Sequence, residues 1–74
     1  MSAPAHVRVM LGVRGMDTDG ARAKVTAALQ ALAGVRTVEP GGGQQLLVRY
    51  DPSELTVMDM IRAVRKLGFL AGMA

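Results

Sequence analysis

The chain changes its hydrophobic period twice in the same direction, and this repetition limits its possible folds more than any other feature. "HVRVMLGV", His6 to Val13, alternates strictly: Val7, Val9, Leu11 and Val13 fall on one face, His6, Arg8, Met10 and Gly12 on the other. Period two with one apolar face predicts a half-buried strand. From Gly20 to Ala33 the period lengthens. Val25, Ala28, Leu29 and Leu32 recur at i, i+3, i+4 and i+7, with alanine-rich filler of high helix propensity between them. Thr18 or Asp19 can cap the first turn, and an acidic group there also suits the helix dipole. Gly34 follows the last apolar position, where a helix stop belongs.

The second half repeats the change. "VRTVE" (Val35 to Glu39) predicts a short strand, and Pro40, which cannot donate to a ladder, puts that strand at a sheet edge. "PGGG" turns the chain into "QQLLVRY", where Leu46, Val48 and Tyr50 alternate with Leu47 and Arg49, giving a hairpin. After the loop "DPSEL", Thr56 and Asp59 form a capping box with Asp in the usual Glu position. A second helix then runs to about Leu67 with Val57, Met60, Ile61, Val64 and Leu67 as its apolar stripe; Gly68 stops it and "FLAGM" is a last strand. The order is β-α-β-β-α-β. Two such helices must cover one face of a four-stranded antiparallel sheet, which is the α+β, ferredoxin-like sandwich.

At 74 residues the chain is a single domain, with a core expected over about residues 6–72. A domain of this size buries only about 60% of its unfolded surface. Half of its residues are hydrophobic and 20% charged, which favours a folded globule, and with 3% aromatics the core must be aliphatic. Absence of cysteine removes disulfides and thiolate chemistry. The opening "MSAPAH" lacks a charged leader followed by an apolar run, and no stretch approaches the roughly 18 apolar residues of a membrane span, so a soluble cytoplasmic chain is the expectation. With one histidine and no nucleophile–base pairing, the chain does not read as an enzyme. "GGG" at Gly41 to Gly43 lacks the Gly-Lys-Ser/Thr of a phosphate loop.

"GMDTDGARAKVTAALQALAGVRTV", "LLVRYDP" and "LTVMDMIRAVRKLGF" together resemble the heavy-metal-associated domain of copper chaperones and metal-pumping ATPases. The matching positions are Gly15, Met16, Val25, Leu29, Leu32, Gly34, Val35, Val48, Tyr50, Asp51, Pro52, Ala63, Val64, Gly68 and Phe69, in one register from Val7 to Ala71 without a gap. The family's Gly-Met-x-Cys-x-x-Cys motif puts its two cysteines at Thr18 and Ala21. In the family, paired thiolates there hold Cu(I), Zn(II) or similar ions, and soft thiolates make Cu(I) binding selective. Thr18 offers a neutral hydroxyl and Ala21 offers nothing, so that mechanism does not carry over.

Other ligands in the degenerate loop, Met16 to Ala21, are poor substitutes. Asp17 and Asp19 are hard oxygen donors suited to Ca²⁺ or Mg²⁺, but Ca²⁺ takes six to eight oxygens and the further acids of an EF-hand are missing. Met16 is a soft donor, yet the resemblance places it beneath the loop in the core. No cofactor is therefore expected.

The resemblance also implies a docking surface. In the family, chaperone and pump domains meet through the metal loop, the first helix and the last loop, largely by charge complementarity. The corresponding residues here are basic: Arg14, Arg22, Lys24, Arg65 and Lys66. An acidic protein partner is implied, such as another domain of this fold or a metal-transporting ATPase. The bland reading of a net charge of +3 is a solvated surface. The strand parity further sends Met10, Leu47 and Leu70 to the open side of the sheet, a small apolar patch for a partner or for weak self-association. Two other functions stay open. One is heavy-metal handling through non-cysteine ligands or a site completed by a partner. The other is RNA binding, which this topology serves elsewhere; it lacks support because no aromatic residue reaches the open face.

Overall fold

The computed structural model describes residues 6–73. Residues 1–5 of the opening segment discussed above lie outside the described residues. The elements follow the predicted order: β1 (Val7–Arg14), α1 (Asp19–Gln30), β2 (Val35–Pro40), β3 (Gln45–Tyr50), α2 (Val57–Lys66) and β4 (Leu70–Met73). The sheet is antiparallel with strand order β2-β3-β1-β4, so β1 and β3 are central and β2 and β4 are the edges. This is the ferredoxin-like sandwich.

Pro40 lies in the edge strand opposite Leu46, where its missing N–H costs the sheet little. The strand parity holds. Val9, Leu11 and Val13 from β1 and Leu46, Val48 and Tyr50 from β3 are buried, and with Val25 and Leu29 of α1 and Met60 and Val64 of α2 they form one core, aliphatic except for Tyr50, with Phe69 packed against it. Leu55, in the loop read as plain connector, is also buried. Leu67, assigned to the apolar stripe of α2, is 43% exposed. It is the C-cap residue, one position past the last helical turn, where the packed face has ended.

Both helix starts are capped as the residue types require. Thr18 caps α1, accepting a hydrogen bond from the Ala21 N–H at 3.1 Å. At α2 the capping box is complete: the Asp59 N–H donates to Thr56 Oγ1 at 3.3 Å and the Thr56 N–H donates to Asp59 Oδ2 at 2.9 Å. The α1 helix ends at Gln30 rather than Ala33. The Leu32 N–H bonds to the Leu29 carbonyl at 3.1 Å, a tightened turn that spends the last residues on reaching Gly34.

The loop after β3 is organised by Asp51, whose carboxylate accepts from the Ser53 hydroxyl at 2.7 Å and the Ser53 N–H at 2.9 Å. These two bonds, helped by the nearby charge of Arg36, hold the Asp51 carboxyl below its ordinary value despite some desolvation. A carboxyl whose pKa is lowered on folding adds stability above its unfolded pKa and loses it as pH falls through the folded one. Asp51→Asn should therefore flatten the decline of melting temperature in acid below about pH 4, near the ordinary carboxylate range. Parallel thermal melts of wild type and variant from neutral to acidic pH check this; identical slopes would remove Asp51 from the acid response.

Candidate functional site

Gly15, Met16, Asp17 and Thr18 form the connection from β1 into the first turn of α1. Met16 is fully buried, so its thioether packs in the core beneath the loop and offers no ligand at the surface. Asp17 and Asp19 are exposed, and Asp19 lies in the first turn of α1, where its charge complements the helix dipole. The hydroxyl of Thr18 is engaged with the N–H of Ala21, the two positions where the resembling motif has its cysteines. Thr18 is thus a helix cap, and Ala21 contributes a methyl group. Among the described residues, no three histidine, aspartate or glutamate side chains gather into a cluster that would hold a metal ion. The donor set at this loop does not fit a soft ion such as Cu(I).

The loop is tied to its surroundings by bonds from distant parts of the chain. The Gly15 N–H donates to Gln44 Oε1 at 2.9 Å, across 29 residues. Arg22 reaches from α1 to the β2–β3 turn, donating through Nη2 to the Gly43 carbonyl at 2.9 Å. Both bonds were invisible in the sequence. Nothing in "GGGQQ" marks Gln44 as a partner for a backbone group so far away.

The basic residues read as a docking set divide accordingly. Arg14, Lys24, Arg65 and Lys66 are exposed, whereas Arg22 is half-buried and engaged with the hairpin. Arg65 and Lys66 occupy the last turn of α2, where positive charge suits the helix dipole. His6 lies at the far end of β1 from the loop, exposed, with its Nε2 accepting from Arg36 Nε at 3.2 Å.

On the open face of the sheet, Met10 and Leu47 are direct cross-strand partners on β1 and β3, both half-buried. Leu70 is opposite Arg14 on β4 and 62% exposed. Leu70 is therefore not adjacent to the other two. The row holding Gly12, Gly72 and Gln45 separates them. Because Leu47 lies on the sheet face away from the helices and is not among the buried core residues, Leu47→Glu should leave the fold intact, with an unchanged circular dichroism spectrum. Unfolding by this substitution would make Leu47 a core residue.

These elements make a βαββαβ sandwich whose first loop feeds a capped helix N-terminus. The chain belongs to the heavy-metal-associated domain family, whose model matches residues 11–69. Solved structures agree. The copper binding domain from HMA7, a P-type ATPase, is 25% identical with a TM-score of 0.85, over 90% of this chain and 92% of that one. The CopZ metallochaperone is 27% identical with a TM-score of 0.82, over 89% of this chain and all (100%) of that one. Oxidized MerP from Ralstonia metallidurans CH34, at 24% identity, shares the fold with a TM-score of 0.88 over 93% of this chain and 97% of that one. No curated protein matches the chain. No helix among the described residues is long and apolar enough to cross a membrane.

Proposed function

We propose that this domain is a binding module that works through contacts with an acidic protein partner and does not carry Cu(I). One observation supports the reading above others: the Thr18 hydroxyl is committed to the Ala21 N–H at 3.1 Å, and Ala21 has no donor atom. A capping hydroxyl and a methyl cannot replace two thiolates. What remains at this end of the domain is charge. Arg14, Lys24, Arg65 and Lys66 are exposed there or on the adjoining helices, and they suit a partner of opposite sign. Because a P-type ATPase domain and a metallochaperone are among the similar structures, a domain of the same fold or a metal-transporting ATPase is the partner we favour.

Competition with a Cu(I) chelator of modest affinity tests the first half of this reading. The chelator should keep all of the copper, and EDTA should leave the circular dichroism spectrum and the melting temperature unchanged. Retention of one copper per chain would overturn the reading. Retention only in the presence of a partner domain would favour a metal site completed across the interface. The second half is tested by titrating an acidic copper-ATPase domain into the labelled chain. Binding should weaken at higher salt and be lost on combining Arg65→Glu with Lys66→Glu.

A further inference from the structure

We propose that the open face of the sheet is a second docking surface, built for an extended acidic segment of a partner that carries one apolar residue. It lies on the layer opposite the helices and meets the loop end only at Arg14 and the Gln44–Gln45 segment. The register fixes its composition in rows. Arg8 faces Arg49, Met10 faces Leu47, Gly12 lies between Gln45 and Gly72, and Arg14 faces Leu70. The glycine row leaves the floor bare, and a groove of about 650 Å³ opens over it between Arg14, Leu70 and the Gln44–Gln45 segment. A smaller hollow of about 260 Å³ is bounded by His6, Arg8 and Arg49 at the other end.

Charge selects the occupant. Like charges placed directly across two strands are destabilising, and Arg8 and Arg49 are so placed. Among the described residues the ion pair joins Arg36 and Glu54 at 3.7 Å, and Arg8, Arg14 and Arg49 have no carboxylate oxygen within 4.0 Å. Glu39, opposite Leu47, is the sole acid in these rows. A second copy related by a two-fold axis would bring arginine against arginine, which opposes self-association through this face. Single-stranded RNA would meet the positive charge but find no aromatic ring to stack on. Carboxylates relieve the repulsion, and an apolar side chain over Gly12 and Gly72 covers exposed backbone between Leu47 and Leu70. Along an extended segment the arginine pair lies about 13 Å from the glycine row, and Arg14 a further 7 Å or so beyond it, at roughly 3.3 Å per residue. The fitting segment has an acid, an apolar residue four positions on, and a second acid two positions after that.

The synthetic octapeptide Glu-Asp-Ser-Thr-Thr-Phe-Thr-Glu, blocked at both ends, has this spacing and serves as the probe in an amide chemical-shift titration of the full chain. The perturbed amides should be those of Arg8, Met10, Gly12, Leu47, Leu70 and Gly72. Affinity should fall at least tenfold when Arg8→Glu and Arg49→Glu are combined, and also when the peptide's Phe becomes Ser, while Arg62→Glu, exposed on α2 in the helical layer, changes nothing. Equal binding of a peptide with Lys in place of its acids would overturn the proposal without any protein variant. So would perturbations confined to the Met16–Ala21 loop, a failure to bind, tighter binding of an oligouridine to the same amides, or a dimer of the free chain in sedimentation. Neither variant on this face touches the loop end, so failure here leaves the reading of the previous section intact.

Discussion

Thr18→Cys combined with Ala21→Cys is expected to turn a domain that surrenders all of its Cu(I) to a chelator into one that keeps one ion per chain. The two positions are the cap and the third residue of α1. A thiol at the start of a helix is held toward its thiolate form by the helix dipole, and the thiolate is the ligand. The change has a cost. Replacing the Thr18 hydroxyl removes the bond to the Ala21 N–H, and losing such a cap typically destabilises by about 1 kcal/mol. The metal-free variant should therefore melt a few degrees below the parent, and Cu(I) should more than restore the loss. Retention measured against the same chelator, with melts of both forms, checks this. A double variant that folds yet binds no copper would show that the loop's bonds to Gln44 and Gly43 hold it in a shape thiolates cannot use.

The second large effect is structural. Gly34 adopts φ +95°, and a Cβ built there would approach Leu55 Cδ2 to 2.5 Å and Glu54 Cβ to 2.7 Å. Gly34→Ala adds the left-handed backbone penalty, roughly 1–2 kcal/mol, to an overpacking cost of roughly 1–3 kcal/mol. A small domain with about 5 kcal/mol of total stability would be left close to unfolding. Gly68 is the internal control. Its φ is +94°, but nothing lies within 4 Å of a Cβ there, so Gly68→Ala should cost the backbone term alone. Urea melts of the two variants should separate clearly. Equal losses would mean that the Leu55 side chain swings away without penalty.

These comparisons show why some features were legible in the sequence and others were not. The capping box at Thr56 and Asp59, the edge strand ending at Pro40 and the inward set of β1 all follow from contacts within a few residues, and all appear in the structure. The empty motif at Thr18 and Ala21 could be read because it lies in an ungapped register of local matches. Leu55 could not be assigned to the core from its loop, since it packs beside Gly34, 21 positions away in the chain. Arg22 looked like its exposed neighbour Lys24, and only the approach of the β2–β3 hairpin distinguishes them. Leu70 shared the parity of Met10 and Leu47 but not their neighbourhood, because the glycine row intervenes.

Two bonds, from Gly15 in the first loop to Gln44 and from Arg22 in α1 to Gly43, fasten the loop end to the β2–β3 hairpin. A recognition loop shaped by its cargo can report whether the cargo is aboard, since the empty loop relaxes and the partner senses the difference. Here the loop takes its form from permanent parts of the same chain. In the role proposed for it, the domain acts as a constitutive connector. On that reading its partner would be engaged whenever both are present, with regulation left to their abundance or to the partner's own state.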